Sequence, residues 1–311
     1  MQTSLSPLSP DTRILLNQAY VPGAQAGHHP DSIQTLDLFV PAGSGPFPLI
    51  LWIHGGGWHS CGRQPEGTEL ALTFIPRGFA LAAIGYRLTP DAPFPAQIED
   101  CGHALAWLRR HAAEHRLDPN RVGVIGHSAG AHLTALLATG TAGAGFAETG
   151  AGPIQAAVCW SPPFDLDRER GAWPKRMFAW NPEDKFTKTF FPDGAYDAAF
   201  ARRASPASYI HAGLPALLVV HGALDTVIPF APVEDFVKRA RSAGADVTFR
   251  LDAKLGHNTM NEESKEEALQ FLVRTLRPRP AEGTGNSFQN HITTQNRALT
   301  AAGRSDTSVT S

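Results

Sequence analysis

Apolar positions recur along the chain in two rhythms. Residues 34–40 alternate, with Leu36, Leu38 and Val40 on one side, and predict a strand with one covered face. Unbroken apolar runs at 49–53 and 79–84 are short and predict strands buried on both faces. The rhythm then changes. Over 97–115, Ile98, Cys101, Leu105, Leu108 and Ala112 fall at three- and four-residue steps, one apolar stripe on a helix. Asp118-Pro119-Asn120 predicts a turn, 121–126 (RVGVIG) a compact strand, and 129–138 a helix of small residues. Strands follow at 154–160, 216–220 and 247–251, with helices around 233–241 and over 262–276. The last helix opens with Glu262, Glu263, Glu266 and Glu267 and closes on Arg274 and Arg277, which suits the helix dipole. Strand and helix alternate, the pattern of a parallel sheet with helices on both faces.

Three segments break the alternation. Pro90, Pro93 and Pro95 make 89–95 a loop, and glycines and alanines make 140–152 a flexible one. Residues 161–211 hold Phe164, Trp173, Phe178, Trp180, Phe186, Phe190, Phe191 and Phe200 among prolines and read as an insertion folded over the sheet. Beyond Pro280 the chain is rich in Gly, Ser, Thr and Asn, and 281–311 reads as a disordered tail. The expected organisation is an N-terminal extension over 1–30, a core formed by 31–160 and 212–280, a cap insertion over 161–211, and the tail. No internal repeat is evident.

Composition narrows the possible partners. Of 311 residues, 27 are basic and 29 acidic, for a net charge of −2. That balance argues against a nucleic-acid partner and against a polybasic membrane patch. No apolar run reaches the roughly 18 residues of a membrane span, and the N-terminus lacks the basic-then-apolar plan of a secretory signal, so the reading is cytoplasmic. Cys61, Cys101 and Cys159 show no zinc-like spacing and are read as free thiols, with a Cys61–Cys101 bridge left open.

The chemistry lies at the ends of the predicted strands. Gly126-His127-Ser128-Ala129-Gly130 joins strand 121–126 to the following helix, as in a nucleophile elbow, where near-neighbours of the serine must be almost free of side chain. His54-Gly55-Gly56-Gly57-Trp58 follows strand 49–53, and three successive glycines let backbone N–H groups approach a ligand closely, as an oxyanion hole requires. His54 itself reads as an organiser of that loop. Asp225 follows strand 216–220 and His257 follows strand 247–251, both at carboxyl ends, where sites of open α/β sheets collect. Asp246 and Asp252 are weaker candidates: the first starts a strand, and the second lies five residues before His257. Trp58, beside the glycine loop, and His127, beside Ser128, are expected to line a substrate pocket.

These motifs, with YRL (86–88), PFPAQIED (93–100), SPASY (205–209), HGALDTVIP (221–229) and GHN (256–258), resemble the HGGGW-type esterase/lipase branch of the α/β-hydrolases, especially bacterial feruloyl-esterase-like carboxylesterases. The likeness spans roughly residues 33–276. It implies a mostly parallel doubly wound sheet with a cap insertion after the sixth strand, a Ser128–His257–Asp225 triad, and an oxyanion hole from the N–H groups of Gly56, Gly57 and Ala129. It also implies a serine carboxylesterase acting on small-molecule, short-to-medium acyl esters, acetyl or feruloyl esters among them, with no metal or organic cofactor. Two departures stand out: Ala131 where the family often has Gly, and Gly62-Arg63-Gln64 where it commonly reads GDK. The alternatives are an amide hydrolase resembling arylformamidase or a prolyl-oligopeptidase-like peptidase, and an inactive hydrolase-fold binding module. The oligomeric state stays open.

Overall fold

The computed structural model describes residues 8–24, 33–140, 151–167 and 185–276. Most of the 140–152 loop, residues 168–184 of the insertion with Trp173, Phe178 and Trp180, and the whole 281–311 tail lie outside the described residues. The strands are β1 (Arg13–Ala19), β2 (Thr35–Val40), β3 (Phe47–Ile53), β4 (Ala80–Ile84), β5 (Leu117–His127), β6 (Ala156–Trp160), β7 (Ala216–Gly222) and β8 (Val247–Asp252). They form one eight-stranded sheet in the order β1-β2-β4-β3-β5-β6-β7-β8. β2 runs antiparallel to β1 and β4, and every other pair is parallel.

The helices are α1 (Glu66–Phe74), α2 (Ala96–Arg110), α3 (Ala129–Thr139), α4 (Lys185–Phe190), α5 (Ala198–Arg203), α6 (Phe230–Ser242) and α7 (Glu262–Leu276). The strand period of two sorts side chains onto two faces. Leu49, Leu51 and Ile53 of β3 join a core with α2, α3 and α6, whereas Ile50 and Trp52 join one with α1 and α7. Both faces are therefore covered, and the doubly wound expectation is borne out. The segment read as an insertion begins after Trp160, the end of the sixth strand.

Three local expectations change. β1 falls within the segment read as an extension, and pairs with β2. It carries no strand signal because it is an edge, with Ile14 and Leu16 about half exposed. The turn expected at 118–120 is absorbed into β5, where a shift in register against β3 between Pro48 and Leu49 takes up the extra residues. Helix α2 stops at Arg110 rather than 115, and Arg116, with φ of 56°, reverses the chain so that Leu117 N–H bonds back to the Ala112 carbonyl.

Candidate active site

The turn from β5 into α3 lifts Ser128 out of the sheet with φ 54° and ψ −120°, a conformation that L-residues seldom hold. The flanking glycines explain how the chain tolerates it. A Cβ on Gly126 would stand 2.4 Å from the Gly130 carbonyl oxygen, and one on Gly130 would stand 2.1 Å from that of Ile53. The Ser128 N–H is held by the Trp160 carbonyl at 2.8 Å.

Two loops bring partners to the hydroxyl. After β7, the chain turns so that Asp225 Oδ1 accepts the N–H groups of Val227 (2.7 Å) and Ile228 (2.8 Å). Its Oδ2 is 2.9 Å from Nδ1 of His257, which lies in the loop after β8. His257 Nε2 in turn is 2.9 Å from Ser128 Oγ. With Nδ1–H donating to the carboxylate, Nε2 is the free acceptor for the serine proton. Burial would raise the Asp225 pKa, but the hydrogen bond from His257 and the N–H groups of Ile228 and Val227 outweigh it and hold the group below the usual carboxylate range. Asp246 and Asp252 take no part: Asp252 accepts from Lys254 N–H and pairs with Arg250.

The glycine loop after β3 is anchored at His54. His54 is buried, with its ring stacked on Tyr86 at 4.2 Å, and the Tyr86 hydroxyl donates to the His54 carbonyl at 2.9 Å. Gly56 and Gly57 both have positive φ, and the Gly56 carbonyl is turned away to accept Ser60 N–H and Ser60 Oγ–H. The N–H groups of Gly56, Gly57 and Ala129 have no acceptor among the described residues. Gly56 and Gly57 share with Ser128, His257 and His127 the wall of a cavity of about 450 Å³.

Trp58 departs from expectation. It is 1% exposed and is not part of that wall. Its positive φ turns the indole into the interior, where Nε1–H donates to His132 Nδ1 at 3.3 Å and the ring packs on Phe190 at 5.0 Å. Phe164, Phe190 and Phe191 of the insertion likewise join the main core. His127 does line the cavity, and burial drives its pKa down to about 4.

Several residues at the site escaped the sequence reading. Glu66 and Cys61 stand in the cavity wall. Buried His221 donates Nε2–H to the Ile228 carbonyl, 3.8 Å from Asp225 Oδ2, and burial keeps it neutral by lowering its pKa. Ser161 donates to the His257 carbonyl. The signal for Ser161 was its place directly after a predicted strand. Glu66 offered none. The cysteines form no disulfide: Cys101 and Cys159 are buried, and Cys61 is exposed. Among the described residues no group of acidic, histidine or cysteine side chains is arranged to hold a metal, and no helix is long and apolar enough to cross a membrane.

A doubly wound sheet carrying a serine elbow after its central strand, with the acid and the histidine on later loops, defines an α/β-hydrolase. The chain belongs to the BD-FAE family, whose profile matches residues 36–239, and the resemblance read from the motifs is borne out. It is similar to esterase LipQ of Mycobacterium tuberculosis, 29% identical over 79% of this chain and 61% of LipQ. It is also similar to carboxylic ester hydrolase LipN of that organism, 30% identical over 72% of this chain and 60% of LipN. The chain thus spans about three fifths of the length of these relatives. Two solved structures share the fold. One is a truncated carbohydrate esterase from gut microbiota, at TM-score 0.70 and 20% identity, covering 86% of this chain and 99% of that one. The other is a propionate-bound thermophilic esterase from Thermogutta terrifontis, at TM-score 0.66 and 24% identity, covering 87% and 97%.

Proposed function

We propose that the protein is a serine carboxylesterase that hydrolyses short-to-medium acyl esters of small molecules through an acyl-enzyme intermediate. One observation carries the reading: Ser128 Oγ, His257 and Asp225 form a continuous hydrogen-bonded series at the wall of a cavity. In the first half-reaction His257 Nε2 takes the Ser128 proton as Oγ attacks the ester carbonyl, and Asp225 stabilises the imidazolium. The oxyanion accepts the N–H groups of Gly56, Gly57 and Ala129, each such donor worth about 3–4 kcal/mol in the transition state. His257 then gives its proton to the leaving alcohol. Water, deprotonated by the same imidazole, attacks the acyl-serine and returns the enzyme. His127 contributes to the pocket wall, and the cavity volume suits a small or medium ester. The esterase and carboxylic ester hydrolase names of the mycobacterial relatives support the bond type, and the carbohydrate esterase among the structural neighbours makes sugar-linked acetyl and feruloyl esters the substrates to try after simple ones.

The test is hydrolysis of 4-nitrophenyl acetate, butyrate and octanoate by wild type and Ser128→Ala, with N-formyl aryl amines beside matched esters. Serine-dependent turnover that falls with chain length is the expected result. Preference for the formamide would move the assignment to an amide hydrolase, and no turnover or fluorophosphonate labelling of folded wild type would make the chain a binding module.

A further inference from the structure

The His257 backbone carbonyl is the meeting point of three donors from three parts of the fold. His127 Nε2–H reaches it from the elbow at 3.1 Å, Ser161 Oγ–H from the end of β6 at 2.7 Å, and Thr259 N–H from its own loop at 3.1 Å. The protons are accounted for. Ser161 donates to the carbonyl, so the Thr259 hydroxyl, 2.9 Å away, donates to Ser161 Oγ. His127 donates through Nε2, which fixes its tautomer and leaves Nδ1 unprotonated.

A carbonyl oxygen offers two lone pairs, and three donors converge on this one. Ser161 is fully buried with φ of 49°, a left-handed conformation that strains a non-glycine residue, and its N–H is pinned to the Val220 carbonyl at 2.8 Å. Glycine would sit there without strain but would bring no hydroxyl. His127 pairs an uncharged donor with close approach: its ring centroid lies 5.2 Å from that of His257. A lysine or arginine donor at that distance would oppose the imidazolium formed during catalysis. His127, held neutral by burial down to about pH 4, does not.

We propose that His127 and Ser161 are positioning residues that jointly clamp the His257 carbonyl and so hold the imidazole between Ser128 and Asp225. This rests on the triad reading above. Its consequence is a defined role for the second residue of the GHSAG motif and for the residue that follows β6. Without the clamp the loop from Ala253 to Asn261 keeps its ends, through Leu224 N–H on the Leu255 carbonyl and Ser264 Oγ–H on the Thr259 carbonyl, but at the His257 carbonyl it keeps only the local Thr259 N–H and loses both donors that tie it to the rest of the fold.

The experiment compares wild type, His127→Phe, His127→Gln, Ser161→Gly, the double variant His127→Phe/Ser161→Gly, Ser128→Ala and His257→Gln, by 4-nitrophenyl acetate kinetics, thermal unfolding and proton NMR of the folded enzyme. His127→Phe and Ser161→Gly should each lower kcat about tenfold with KM within about twofold, as misplacement of a reacting group does. The double variant should fall further. His127→Gln, whose amide N–H can replace Nε2–H, should recover most of kcat. Ser161→Gly should lose kcat without losing thermal stability, because it relieves the strained φ; a merely structural role would predict the reverse. The downfield resonance of His257 Nδ1–H, identified by its absence in His257→Gln, should broaden or vanish in the double variant and persist in His127→Gln. Wild-type kcat and an unchanged resonance in both single variants would overturn the clamp, as would His127→Gln being as impaired as His127→Phe. Full turnover in Ser128→Ala, or none in wild type, would instead overturn the triad reading, and the resonance would still decide the clamp.

Discussion

At the scale of single residues, close approach of backbone governs the site. Gly222 ends β7, and a Cβ there would stand 2.2 Å from the Gly256 carbonyl oxygen and 2.3 Å from that of Leu255, so it sets how near the Asp225 and His257 loops come. Gly222→Ala should cost about 2–3 kcal/mol in urea unfolding and depress kcat, whereas Gly78→Ala, strained by its φ of 78° but with open space around the added methyl, should lower stability and leave kcat unchanged. Charge acts at the same scale. Glu66 stands in the cavity wall with no ion-pair partner among the described residues. A carboxylate in the wall repels a negative ester by about 1 kcal/mol. Glu66→Gln should therefore raise kcat/KM for 4-nitrophenyl hemisuccinate about fivefold relative to the acetate; an unchanged ratio would remove Glu66 from substrate selection.

Among elements, the antiparallel edge of the sheet carries a charged tie. Asp37, in the middle of β2 and buried, accepts Asn17 N–H from β1 at 2.8 Å and Gln64 Nε2–H at 2.9 Å, and pairs with Arg63 at 2.9 Å. One carboxylate thus joins β1, β2 and the Arg63–Gln64 segment that leads to Glu66. This also gives the departure at Gly62-Arg63-Gln64 a structural meaning, because two of its side chains turn to the sheet edge. Removing one partner of a buried pair leaves the other uncompensated. Asp37→Ala should destabilise by about 3–5 kcal/mol in denaturant unfolding, and Asp37→Ala/Arg63→Ala by less than the sum of the single changes. Additive losses would show that the pair is not coupled.

Over the whole molecule, buried neutral histidines set the response to acid. His132 is fully buried, its Nδ1 accepting from Trp58 and its Nε2–H donating to the Ala204 carbonyl at 2.7 Å, and burial lowers its pKa to about 4. His127 is lowered to about 4 and His221 is lowered too. In the unfolded chain these imidazoles take up protons near pH 6.5, and in the folded one they resist. Stability should be at its plateau above about pH 6.5 and decline as pH falls towards 4, with His132 alone contributing roughly 3 kcal/mol of the loss. Chemical denaturation at pH 7.5, 6, 5 and 4 checks this, and His132→Phe should flatten the slope while lowering stability at pH 7.5, because Trp58 Nε1 loses its acceptor. Equal slopes for the two proteins would refute the assignment.

The sequence by itself determined the alternation of strand and helix, the family, and the three residues that meet at the site. Period-two and period-3.6 patterns are local. Ser128, Asp225 and His257 stand out because each directly follows a strand, and a parallel sheet gathers those ends at one edge. Only the tertiary structure decided where side chains point and which distant groups share a carbonyl. Trp58 reads as pocket from its neighbours, yet its positive φ and the acceptor on His132, 74 residues away, take it into the core. β1 is invisible to pattern because an exposed edge strand buries little of either face and holds its place by pairing with β2. Ser161 and His127 converge on His257 from 96 and 130 residues away, and hydrogen bonds over such separations leave no periodic trace in a single chain.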